Sequence, residues 1–137
     1  MARLSPKEFR QHVKRVLDSL PPAIARHTTN LAVDVEDEPD EETLMHLGFT
    51  PAEIAEGDTL FGLFVPFPQG DLLELEERPN RLIIYQRPHE EACASRRELL
   101  IEIRKTVIHE LAHHFGWTDA DLERFDNSPN PFPKELP

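Results

Sequence analysis

Ser95-Arg96-Arg97-Glu98-Leu99-Leu100-Ile101-Glu102-Ile103-Arg104-Lys105-Thr106-Val107-Ile108-His109-Glu110-Leu111-Ala112-His113-His114-Phe115-Gly116 reads as one long helix with chemistry near its end. Ser95 and Glu98 have the S-x-x-E form of a capping box, in which two side chains satisfy the free N–H groups of a first helical turn. Apolar residues follow at Leu99, Leu100, Ile103, Val107, Ile108, Leu111, Ala112 and Phe115, close to the spacing of a buried stripe. The pattern predicts a helix from about Arg96 to Phe115 running through the centre of a small domain. Val107, Leu111 and Phe115 would anchor it in the core, with His109 and His113 facing a cleft.

His109-Glu110-Leu111-Ala112-His113 spells H-E-x-x-H. Two histidines four residues apart share one helix face, so both imidazoles can reach a single Zn²⁺, and the adjacent Glu110 can serve as general base. A catalytic zinc takes three protein ligands and keeps a fourth position open, so a third ligand is required. Gly116 is a natural left-handed stop for the helix, and three residues later the chain reaches Asp119. The full pattern, H-E-x-x-H-x-x-G-x-x-D, resembles the extended metzincin pattern with aspartate in place of the last histidine. For a chain of this composition it arises by chance about once in ten thousand sequences, which sets it apart from a bare H-E-x-x-H. Glu123, on a short helix suggested by Thr118 to Phe125, and Glu135 are alternative third ligands. The plainer reading keeps Glu110 as a solvated charge and His109 and His113 as partly buried histidines. A closed structural zinc site is disfavoured because Cys93 is the only cysteine. His114 lies about 100° around the helix from His113 and reads as a packing or supporting residue.

Working outward, Ser5-Pro6-Lys7-Glu8 is a second capping box, and Phe9, Val13, Val16, Leu17 and Leu20 form an apolar stripe ended by Pro21-Pro22. Leu31 to Val35 alternates as a half-buried strand, followed by an acidic, mobile loop through Glu42. Thr50-Pro51-Ala52-Glu53 caps a short helix ended by Gly57, and Thr59 to Val65 reads as a buried strand closed by Pro66. Gln69-Gly70-Asp71 reads as a turn, Leu72 to Glu76 as a weak strand, and Arg81 to Gln86 as a strong strand. These elements form a single domain over residues 1–127, with a proline-rich tail over 128–137.

The 137 residues suit one domain, and the net charge of −11 argues against nucleic acid, whose backbone calls for clustered Lys and Arg. The longest apolar run, near Leu60 to Phe67, is broken by Pro66 and far too short for a bilayer, so no membrane partner is expected. With one cysteine there is no intramolecular disulfide, and no signal peptide precedes Leu4-Ser5-Pro6, so a cytoplasmic location is expected.

Arg81-Leu82-Ile83-Ile84-Tyr85-Gln86-Arg87-Pro88, Arg97-Glu98-Leu99 and the run from Thr106 to Gly116 resemble the bacterial minimal zincins, a family of small zincin-like metallopeptidases. The resemblance extends to Leu31-Ala32-Val33-Asp34-Val35-Glu36-Asp37 and Leu60-Phe61-Gly62-Leu63-Phe64. It implies an α+β domain with a small mixed sheet beside the zinc helix and the N-terminal helix. It also implies zinc ligands at His109, His113 and Asp119, Glu110 as base, and a peptide or protein substrate laid along a sheet edge. No methionine follows the motif, so the metzincin Met-turn is absent. Tyr85, Arg87 and His89 are candidates for stabilising an oxyanion, each against a plain packing or surface role. Two other classes compete with a general peptidase: an inert metal-binding or interaction protein on the same scaffold, and a narrow regulatory protease that cuts one partner.

Overall fold

Helix α1 (Pro6–Asp18) begins where its capping box places it, with Ser5 accepting from Glu8 N–H and the Glu8 carboxylate accepting from Ser5 N–H. The computed structural model describes residues 3–20, 22–26, 28, 30–66, 80–114, 116, 118, 120 and 123. After α1 come α2 (Pro22–Ala25), β1 (Leu31–Glu36), α3 (Glu41–His46), α4 (Pro51–Ala55) and β2 (Gly62–Val65). The series closes with β3 (Asn80–Tyr85), α5 (Gln86–Ala92) and α6 (Arg96–His114). The fold is α+β, as the resemblance implied.

Among the described residues three strands form one mixed sheet in the order β1-β3-β2, with β1 parallel and β2 antiparallel to the central β3. Alternation along β3 sends Leu82 and Ile84 to one face and Ile83 and Tyr85 to the other, and all four are buried. Leu82 and Ile84 join the core against α6, together with Phe9, Val13 and Val16 of α1 and Phe64 of β2. Helix α6 runs through the middle of this core, burying Leu99, Leu100, Ile103, Val107, Ile108, Leu111 and Ala112. Each fully buried aliphatic side chain contributes about 1.5–3 kcal/mol relative to exposure, so this one helix supplies a large share of the driving force.

The start of α6 differs slightly from a standard capping box. Ser95 Oγ accepts from Glu98 N–H at 3.1 Å, but the Glu98 carboxylate accepts from Ala94 N–H at 2.9 Å, one residue further upstream.

Four expectations change. The acidic segment ahead of Glu42 does not continue as loop, because the Asp40 carboxylate accepts from Thr43 N–H at 2.7 Å and nucleates α3 at Glu41. The strand expected over Thr59 to Val65 is only four residues long and forms a sheet edge, with Val65 39% exposed. Gln86 leaves β3 and opens α5, placing Pro88 in the first turn, where a missing N–H costs no hydrogen bond. Helix α2 had no counterpart in the sequence reading. The turn at Gln69 to Asp71, the weak strand from Leu72 to Glu76, the domain boundary at 127 and the tail lie outside the described residues. Among the described residues no helix is long and apolar enough to cross a membrane.

His12 ties α1 to α6 by donating from Nε2 to the Leu100 carbonyl at 3.4 Å. Burial first, then the charges of Arg104, Arg15 and Arg96, hold its pKa near about 4 against an ordinary 6.5, with the Leu100 bond opposing. A depressed histidine pKa gives stability that is complete above pH 6.5 and lost as pH falls toward about 4, where the unfolded chain takes up a proton the fold resists. Thermal unfolding followed across that range should show a loss of about 1–2 kcal/mol from this group, allowing for solvent near the ring. His12→Gln should flatten the acid limb.

Candidate metal centre and active site

The last two turns of α6 carry the proposed chemistry. His109 and Glu110 are half-buried and His113 is exposed, so the core-facing side of the helix yields to an accessible one at this point. Gly116, with φ of +97°, adopts the left-handed conformation expected of a helix stop. Asp119 lies outside the described residues, as does Glu135. Among the described residues no group of three His, Cys, Asp or Glu side chains could hold a metal, and that set includes Glu123. Two imidazoles one turn apart beside a carboxylate fit two of the three protein positions of a catalytic zinc. Within the described chain, Glu123 does not complete the set.

The sheet edge beside this helix is β2. Tyr85 N–H donates to the Phe61 carbonyl at 2.9 Å, which makes Phe61, Leu63 and Val65 the hydrogen-bonded partners of β3. Gly62 and Phe64 therefore turn their main-chain groups away from β3 and, by alternation, their side-chain face toward α6. Glu110 meets that edge by accepting a hydrogen bond from Phe64 N–H. Burial raises the Glu110 pKa above the usual carboxylate value, while His113, the Phe64 bond and His109 pull it back. A carboxylate that is partly desolvated yet oriented by a hydrogen bond is suited to proton transfer.

His114 stacks on the Phe64 ring with centroids 4.0 Å apart and planes 22° from parallel. Burial and the neighbouring His113 lower its pKa. It is a packing residue of the same edge strand, one of the two roles its position on the helix suggested.

The oxyanion candidates separate clearly. His89 is fully buried between the rings of Phe9 and Phe61. Its Nδ1 lies 2.6 Å from the Tyr85 carbonyl, which only accepts, so Nδ1 carries the proton and Nε2 accepts from the Thr106 hydroxyl at 2.8 Å. Burial keeps this ring neutral by lowering its pKa, against the Tyr85 bond. Tyr85 is 2% exposed, and Arg87 is exposed beside Glu38 at 3.7 Å and Glu91 at 4.0 Å. His89 and Tyr85 are thus buried and Arg87 is paired on the surface. A shallow cavity of about 280 Å³ opens on the sheet face away from α6, lined by Asp40, Thr43, His46 and Leu63 among others, and neither His109 nor His113 lines it.

The sequence reading did not single out Gly62, Phe64 or Thr106. A Cβ on Gly62 would stand 2.8 Å from Thr106 Cγ2, so this glycine marks a close approach of strand and helix. A lone glycine inside the apolar run from Leu60 to Val65 was the available sign.

A long helix bearing H-E-x-x-H, a left-handed glycine after it and an edge strand laid against its glutamate are the parts of a zincin. The family model of the zincin-like metallopeptidases matches residues 28–128, more than half of the chain, and the chain belongs to that family. A search among curated proteins finds no match. Zinc is the metal that the family conventionally binds.

The buried hydrogen bond between Thr106 and His89 has a direct stability test. Thr106→Val keeps the shape and removes the hydroxyl, leaving Nε2 without its donor, and should cost about 1–3 kcal/mol in denaturant unfolding.

Proposed function

We propose that this protein is a zinc-dependent peptidase, with His109, His113 and Asp119 as metal ligands and Glu110 as general base. The observation that carries the reading is the position of Glu110, flanked by two imidazoles and held on the main chain of the strand that is an edge of the sheet among the described residues. Zinc, when bound, supplies electrophilic polarisation of the scissile carbonyl and of water. The chain's own residues do the rest. The outward main-chain groups of Gly62 and the Phe64 carbonyl pair with an extended peptide as an added strand, which lays its backbone along α6. Glu110, oriented by Phe64 N–H, takes a proton from the attacking water and later delivers it to the leaving amine nitrogen. Phe64 is buried beneath the edge, and the exposed His114 ring stacks on it.

Membership in a metallopeptidase family supports the reaction class, and the edge strand supports an extended peptide or protein substrate over a compact small molecule. The charge of −11 is consistent with a protein that does not bind nucleic acid.

Elemental analysis should find about one zinc per chain, lost in His113→Ala. Glu110→Gln should keep that zinc and lose turnover of a mixed peptide pool by at least about 100-fold, and equal turnover by both proteins would overturn Glu110 as base. Asp119→Ala should weaken zinc binding severely. Unchanged affinity there would assign the third ligand to another residue.

A further inference from the structure

Two uncharged groups of β2 lie against Glu110 from outside the metal ligands, the Gly62 backbone and the Phe64 amide. A Cβ on Gly62 would lie 2.8 Å from Thr106 Cγ2 and 3.4 Å from both Glu110 Cγ and the Ile83 carbonyl oxygen. The Thr106 methyl therefore rests on bare backbone of β2, closer than any side chain at position 62 permits. One helical turn further along α6, and two residues further along β2, Glu110 meets Phe64 N–H. A stiff helix and a stiff strand that touch at one point have their separation a few ångströms away set by that contact.

The direction of the Thr106 methyl is itself fixed. Threonine carries its hydroxyl and methyl on the same Cβ, so pinning one places the other. The hydroxyl is held 2.8 Å from His89 Nε2, and His89 is held 2.6 Å from the Tyr85 carbonyl, at the end of the central strand. Phe9 and Phe61 rings close around the imidazole. The chain of contacts thus runs from β3 through α5 to α6 and back to β2.

We infer that the Gly62–Thr106 contact, locked by His89, is a spacer that seats the edge strand at the height where Phe64 N–H orients Glu110. Thr106 and His89 are then positioning residues for the general base. This inference rests on the role given to Glu110 above. A packing role alone would affect stability and leave the orientation of Glu110 unchanged.

The test compares zinc-loaded wild type, Gly62→Ala, Thr106→Ser and the double variant, all as the full chain. Two readouts are taken: hydrogen exchange of the Phe64 amide, and kcat and KM on one fluorogenic peptide selected with the wild type from a mixed pool. Gly62→Ala adds a methyl where Thr106 already has one, and should speed Phe64 exchange and lower kcat by about tenfold or more. Thr106→Ser removes the methyl and should shift both readouts the same way by about threefold or more. The double variant moves the methyl from helix to strand, and should recover both to within about threefold of wild type.

Wild-type exchange and kcat in Gly62→Ala would overturn the spacer. So would a double variant whose unfolding free energy recovers while exchange and kcat stay altered. If Gly62→Ala does not fold, Thr106→Ser decides alone: unaltered Phe64 exchange there overturns the inference. If exchange follows the expected pattern while the wild type cuts no peptide, the spacer stands and the peptidase reading falls.

Discussion

Helix α6 has to be core and cleft at once, and the rest of the molecule follows from that double duty. Nine of its residues are buried, on sides that face the sheet, α1 and α5. What is left for chemistry is a narrow strip through His109, Glu110 and His113, with the buried Thr106 one turn before Glu110. A helix surrounded this way cannot shift without disturbing every layer, because close-packed interiors transmit small displacements. The histidines therefore inherit the rigidity of the whole core. Preorganised ligand pairs bind metal without a separate cost of ordering, and the same fixation holds Glu110 beside them.

The edge strand is the second half of the arrangement. Strands at an edge present unpaired main-chain groups that invite association with other chains. Here β2 is four residues long, it carries a glycine, and Pro66 stands directly after it. Shortness and proline limit uncontrolled pairing, while Glu110 takes up the outward Phe64 N–H.

Much of this was legible in the sequence, for reasons that are local. Capping boxes at Ser5 and Thr50 act within four residues, and both stand as read, while the one at Ser95 is displaced by a residue without moving the helix start. The β-branched run from Arg81 to Tyr85 announced the central strand. Helix α5 was hidden because it follows β3 with no connecting residue and has no side-chain cap. Helix α3 was hidden because its acidic composition reads as a solvated loop, although Asp40 is a good cap. At the site, the pairing of two histidines with Glu110 could be read from helical spacing alone. The meeting of Glu110 with Phe64, and of Thr106 with His89 and Gly62, could not, since those partners lie far apart along the chain. Tertiary contacts of this kind leave no periodic trace.

Strand order also bears on how the chain acquires its structure. The central strand, β3, is the last of the three to be made, and both β1 and β2 depend on it for their hydrogen bonds. Helix α1 waits longer still, since His12 reaches Leu100 across 88 positions and Leu4 reaches Glu90 across 86. A growing chain on the ribosome therefore carries two strands without a sheet until β3 is made, and an amphipathic helix without a core until α6 is nearly complete. Contacts so distant in sequence slow folding by the entropy of closing long loops. The acidic stretch between β1 and α3 keeps that waiting half-chain charged, and so soluble, until its partner arrives.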